Sequence, residues 1–171
     1  MNNIFFTADT HFNHAKIIEL CHRPFENVKE MDETMIENWN HIVKQKDTVY
    51  LLGDFAYGKN DEVKKLRYRL NGKIHLILGN HDYQNKIQRL TNIFSSMNDL
   101  LTFKYNKKYI VLCHYPLVTW DKQKTNSFQL HGHCHGNLKT INKYQMDVGV
   151  DCNNFYPVSI EQVNWTLKGC L

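Results

Sequence analysis

Short apolar runs that stop at a polar, ligand-type residue recur along this chain, and segments with helical spacing lie between them. Ile4–Ala8 is mostly apolar and bounded by Asp9, which predicts a first buried strand. Lys16–Cys21 predicts a short helix that stops before Pro24. Asp32–Val43 carries Met35, Ile36, Trp39, Ile42 and Val43 at helical spacing, with Asp32 as the expected cap. Thr48–Leu52 reads as a second buried strand. Asp61–Leu70 places Val63, Leu66 and Leu70 on one helical face, Gly72 breaks it, and Ile74–Leu78 is a third strand. The first half therefore reads β-α-β-α-β, the signature of a parallel sheet with right-handed crossovers.

The second half changes character. Gln84–Leu90 suggests another helix. Leu100–Tyr105 and Tyr109–Cys113 flank Asn106-Lys107-Lys108 and predict a hairpin. Phe128–Gly132 and Tyr144–Val150 are further strands, Pro157–Val163 opens a last helical turn, and Trp165–Leu167 reads as a final strand. The expectation is one domain over residues 1–171, α/β in class, with a mainly parallel first sheet and a mainly antiparallel second one.

Five of the runs end alike: Asp9-Thr10-His11, Gly53-Asp54, Gly79-Asn80-His81-Asp82, Cys113-His114 and Gly132-His133-Cys134-His135. In an open sheet, ligands bind beyond the carboxyl ends of the strands, where residues distant in sequence converge. Alternation along an extended chain would point both members of Asp9-x-His11 and of His133-x-His135 the same way. Carboxylate and amide oxygens mixed with imidazoles suit Mn²⁺, Fe, Zn²⁺ or Mg²⁺. The candidates outnumber the ligands of one tetrahedral ion, so two cations bridged by a carboxylate are the economical reading. Gly53 and Gly79 let the backbone turn and approach a ligand closely.

Composition narrows the picture. At 171 residues, 42% hydrophobic and 22% charged, the chain can bury a sizeable core and looks like an ordinary soluble protein. No apolar run is long enough for a membrane span, and the polar start argues against a signal peptide, so a cytoplasmic location is expected. Five widely spaced cysteines with no CxxC pair predict reduced thiols. A net charge of +4 without a basic stripe makes nucleic acid an allowed but not a favoured partner.

The five motifs, in this order, resemble the calcineurin-like metallophosphoesterase superfamily. The ending Asp147–Val163 is also similar to its small bacterial and phage members. The resemblance implies a four-layer α/β/β/α sandwich of two mixed sheets. It implies a first cation held by Asp9, His11 and His135, a second held by Asn80, His114 and His133, and Asp54 between them. Two divalent ions are implied, Mn²⁺ first, with Fe, Zn²⁺, Ni²⁺ or Mg²⁺ as alternatives. A metal-bound hydroxide would attack phosphorus, His81 would serve the leaving oxygen, and Asp82 would orient His81. The expected substrate is a small phosphate ester, a nucleotide-type phosphodiester before a phosphomonoester. A small nuclease, a non-hydrolysing nucleotide sensor and a non-catalytic interaction module of the same fold are the other readings. His14 is a candidate phosphate contact or a solvent-facing helix start. Arg23 is a candidate bidentate phosphate ligand or a surface-loop residue. Oligomeric state is not legible.

Overall fold

The computed structural model describes residues 2–138 and 142–167, so Cys170 lies outside the described residues. The first half follows the hydrophobic pattern closely: β1 (Ile4–Thr7), α1 (Lys16–Leu20), α2 (Val28–Ile42), β2 (Thr48–Leu51), α3 (Asn60–Arg69) and β3 (Lys73–Ile77). Then come α4 (Asn80–Gln84), β4 (Ser96–Asn98), β5 (Leu100–Tyr105), β6 (Lys108–Cys113), β7 (Ser127–His131), β8 (Gln145–Asp147), β9 (Val158–Ser159) and α5 (Ile160–Thr166).

The described strands form two mixed sheets, in the orders β4-β3-β2-β1-β9 and β5-β6-β7-β8. In the first, β1 to β4 run parallel and β9 joins β1 antiparallel. In the second, only β5 and β6 pair antiparallel; β6-β7 and β7-β8 are parallel, contrary to the antiparallel expectation. The tight hairpin at Asn106 and Lys107, both with positive φ, enforces the one antiparallel pair. After β6 and β7 the chain makes long excursions, which leave room to return to the same edge and pair in parallel.

Alternation along each strand divides the core. Val49, Leu51, Ile74 and Leu76 face the helices and pack with Met31, Met35, Trp39, Val63 and Leu66. Phe6, Leu52 and Ile77 face the second sheet and meet Ile110, Leu112, Phe128 and Leu130, with Ile160 and Val163 of α5 in the same cluster. The outward face of the second sheet carries two glutamines, Gln129 and Gln145, beside Val111. Gln129 donates to the Tyr115 carbonyl (2.7 Å) and accepts from Leu117 N (2.8 Å), and Gln145 donates to the Leu117 carbonyl (2.7 Å). The segment after β6 is thereby laid over that face.

Several element boundaries differ from the sequence expectation, each for a local reason. α2 begins a turn earlier, because Asn27 caps it by accepting from Glu30 N at 3.0 Å. Asp32 is instead buried inside the helix, where its carboxylate accepts from Asn13 N at 3.0 and 3.2 Å. The helix expected over Gln84–Leu90 is divided by Lys86 at φ 59° into α4 and a short 3₁₀ turn, Ile87–Arg89. Trp165 and Thr166 continue α5 rather than forming a strand. β4 is a three-residue edge strand of Ser, Met and Asn, with no apolar alternation to announce it.

The inter-sheet core has a measurable consequence. Phe6 is fully buried, so Phe6→Ala is expected to lower unfolding free energy by about 3–5 kcal/mol. Tyr68 is 71% exposed, and Tyr68→Ala should stay within about 0.5 kcal/mol. Urea unfolding of both variants checks this; equal losses would mean that the two sheets do not share this core.

Candidate metal centre

Because β1, β2 and β3 are parallel in one sheet and β6 and β7 in the other, their carboxyl ends lie at a common edge. Asp9 and His11 follow β1, Asp54 follows β2, Asn80 and His81 open α4 after β3, His114 follows β6, and His133 and His135 follow β7. The pairing is not the extended alternation expected from sequence. Asp9, His11, Asp54, His133 and His135 all have left-handed backbone, with φ of 56°, 48°, 57°, 69° and 48°. Each such L-residue costs about 1–2 kcal/mol locally, so the surroundings must hold it. Backbone bonds between neighbouring loops do so, from Asp9 N to Gly53 O (3.0 Å) and from His11 N to Asp54 O (2.9 Å).

Two glycines make the close approach possible. Gly53 has φ +89°, and a methyl there would lie 2.3 Å from His114 Nδ1. Gly79 has ordinary backbone angles, but a methyl there would lie 2.3 Å from Asp54 Oδ1.

The two strand-end carboxylates are buried. Asp9 accepts from His133 N at 2.9 and 3.1 Å, yet burial, Asp54 and Asp147 together push its carboxyl well above the usual range. Asp54 accepts from His81 N at 2.9 Å through Oδ1, while its Oδ2 lies 3.5 Å from His11 Nε2 and 3.6 Å from His114 Nε2. Asp82 does not orient the His81 ring as expected. Its oxygens accept from Gly79 N (2.8 Å), Asp54 N (2.8 Å) and Phe55 N (3.0 Å), which caps α4 and ties it to the Asp54 loop. Burial raises Asp82 to about 6.

The imidazoles are arranged by their other nitrogens. His114 Nδ1 donates to the Leu52 carbonyl at 2.8 Å, which leaves Nε2 as a lone pair facing Asp54 and, at 3.2 Å, Asn80 Oδ1. His135 Nδ1 meets Asp151 Oδ2 at 2.7 Å. His11 Nδ1 lies 3.3 Å from His14 Nδ1, and its buried Nε2 has no hydrogen-bond partner among the described residues. Burial, and then Arg23, hold His11 far below the ordinary histidine range, so its ring is neutral. A neutral, orphaned imidazole nitrogen between buried carboxylates fits a cation. Ligand atoms of Asp9, His11 and His135 lie within 4.8 Å of one another, as do those of Asp9, Asp54 and His114 and those of His11, Asp54 and His81. The exposed His133 ring sits at the rim, 5.1 Å from the His114 ring.

Arg23 is not free for a phosphate. It is buried, and its guanidinium forks onto Asp151 (2.8 and 2.9 Å) while donating to the carbonyls of Asp9 (2.7 Å) and Thr10 (3.1 Å). Against burial, which would raise it, hydrogen bonds from His135 and Arg23 hold Asp151 below the usual carboxylate range. His14 stands beside the cluster with its ring stacked on Tyr57, centroids 3.9 Å apart. Cys21 also approaches His135 and Asp151, but burial and then Asp151 push its thiol up to about 11, so it is no thiolate at neutral pH.

Sequence reasoning missed two residues here. Asp151 lies in a segment whose hydrophobic pattern says nothing of a buried ion pair with Arg23. Tyr57 is three residues beyond Asp54, and its hydroxyl is hydrogen-bonded to His81 Nδ1. Neither had a spacing signal, because each partner lies on a different element.

Comparison with known proteins agrees with this geometry. The model for calcineurin-like phosphoesterases matches residues 3–161. The uncharacterized protein MJ1445 of Methanocaldococcus jannaschii is 38% identical over 174 residues, covering 95% of this chain and 90% of that protein. Among solved structures, the Aquifex aeolicus protein of unknown function AQ665 has a TM-score of 0.79 at 26% identity, covering 96% of this chain and 99% of that one. The Pseudomonas putida nuclease MPE shares the fold, with a TM-score of 0.50 at 18% identity over 77% of this chain and 60% of its own. With its motifs converged at one sheet edge, the chain belongs to the calcineurin-like phosphoesterase family, whose chemistry is metal-dependent hydrolysis of phosphate esters.

Proposed function

We propose that residues 1–171 form one catalytic domain, a dimetal phosphodiesterase acting on a small nucleotide-type ester. The observation that carries the reading is the buried pair Asp9 and Asp54 with the orphaned, neutral Nε2 of His11 between them and neighbouring imidazoles. Two adjacent carboxylates cannot both ionise in the interior without cations nearby.

Asp9, His11 and His135 would hold one ion, Asn80, His114 and His133 the other, and Asp54 would face both. Asp151 supports His135 and the Leu52 carbonyl supports His114, each fixing which nitrogen is free. Bound divalent cations supply charge neutralisation for the phosphate oxygens and an activated water. The mixed oxygen and imidazole set puts Mn²⁺ first among the candidate ions. His81 stands at the rim with its side chain 29% exposed and Nε2 3.9 Å from Asp54 Oδ2, so it can reach a leaving oxygen without being buried among the ligands. The diester preference rests on the shape of the site. It lies at a sheet edge, with His133 and Tyr115 exposed at its mouth, and so has room for a substituent on either side of phosphorus.

Two variants test the assignment in protein stripped of metal and reloaded with Mn²⁺. Asp54→Asn is expected to lose bound metal and at least about 100-fold in turnover of bis-p-nitrophenyl phosphate. Unchanged turnover would sink the two-ion reading, and faster cleavage of p-nitrophenyl phosphate than of the diester would sink the diester preference. His81→Ala is expected to keep its metal content but lose about 100-fold or more in kcat on esters with poor leaving groups, and much less with p-nitrophenolate. Loss of metal in that variant would make His81 a ligand instead.

A further inference from the structure

The loop after Asp54 does more than carry a carboxylate. Tyr57 N donates to the Phe12 carbonyl at 2.8 Å, and Asn13 Nδ2 donates to the Tyr57 carbonyl at 3.2 Å. Phe12 and Ala56 form a parallel bridge, so the loops after β1 and β2 continue the sheet pairing into the site. One face of the Tyr57 ring is covered by His14, with planes 18° apart. Its backbone and ring are thus both held, and its hydroxyl is delivered to His81 Nδ1.

His81 has a fixed backbone as well. Its N–H donates to Asp54 Oδ1 at 2.9 Å, and Asn85 Nδ2 donates to its carbonyl at 2.8 Å. What remains free is rotation of the ring about its bond to Cβ, and a half-turn would put Cε1 in place of Nε2 at the site and Cδ2 in place of Nδ1 at Tyr57. The side chain is partly exposed, so packing alone does not stop that rotation. The bond to Tyr57 does.

We propose that Tyr57 is the positioning residue for His81: its hydroxyl holds Nδ1 so that Nε2 faces the leaving oxygen. This rests on the reading of His81 as the proton donor. A phenol hydroxyl both donates and accepts, so it serves either protonation state of the ring. As the bond from phosphorus to the leaving group breaks, its electron pair goes to the leaving oxygen. The Nε2 proton passes to that oxygen, and the imidazolium becomes a neutral imidazole. Its Nδ1–H then donates to the Tyr57 oxygen, so no polar group is stranded. Asp82, next to His81 in sequence, does not take this part, since its carboxylate is used by three backbone N–H groups.

Tyr57→Phe keeps the ring on His14 and removes only the hydroxyl. In the full chain reloaded with Mn²⁺, kcat on methyl phenyl phosphate is expected to fall about tenfold, with KM and metal content unchanged and methyl p-nitrophenyl phosphate little affected. In the His81→Ala background the same change should have no further effect. Nitrogen NMR of histidine-labelled, metal-free protein should show the His81 Nδ1 signal shifting in Tyr57→Phe. Equal losses on both esters, additivity with His81→Ala, or an unmoved Nδ1 signal would overturn the role of Tyr57. If His81→Ala itself shows no dependence on the leaving group, the reading of His81 falls and takes this inference with it. A normal His81→Ala result beside an inert Tyr57→Phe removes Tyr57 alone.

Discussion

Two carboxylates buried side by side constrain the rest of this structure. Asp9 and Asp54 end neighbouring parallel strands, and neither has a cationic side chain paired directly with its oxygens among the described residues. Burial and the neighbouring Asp54 oppose ionisation of Asp9. Such a pair is costly unless something cationic is bound, and the two buried imidazoles nearest Asp54 do not supply the charge, because burial keeps His11 and His114 neutral. The family's metal-dependent chemistry follows from that imbalance: the fold creates a deficit of positive charge at one place.

Much of the neighbouring architecture serves to hold that place in position. Asp82 gathers three backbone N–H groups and fixes the Asp54 loop against α4. Arg23 binds the Asp9 and Thr10 carbonyls and Asp151 at once, and Asp151 in turn holds His135. A single buried guanidinium therefore ties the loops after β1 and β7 together. These are the contacts that offset the strain of five left-handed residues at the strand ends. Gly53 and Gly79 have no side chain because the neighbouring His114 and Asp54 already occupy that volume.

The legible part of the fold was local. Alternation in β1 to β3 and helical spacing in α2 and α3 follow from which residues must leave water, and they hold whatever the neighbours are. The endings Gly-Asp, Gly-Asn-His-Asp and Gly-His-x-His were legible for the same reason, since a strand that stops on ligand-type residues must turn there. Where the pattern was polar or short, as in β4, nothing in the local sequence distinguished strand from loop. The direction of β7 and β8 was likewise hidden, because parallel and antiparallel strands bury the same side chains.

What the sequence determined by itself was the place of β1 to β3 and of β5 to β8, the chemical groups at the strand ends and the family those motifs resemble. Tertiary structure decided which groups share a partner. Arg23 precedes a proline in a polar stretch and reads as exposed, yet the fold buries it on Asp151, 128 residues away. Asp82 follows His81 and reads as its companion, yet helix geometry turns the carboxylate back to backbone donors. Tyr57 carried no signal, yet it meets the ring that Asp82 does not. The reason is physical: burial and periodicity are properties of a segment, whereas a hydrogen bond between side chains is a property of two segments and of the sheet that sets them side by side.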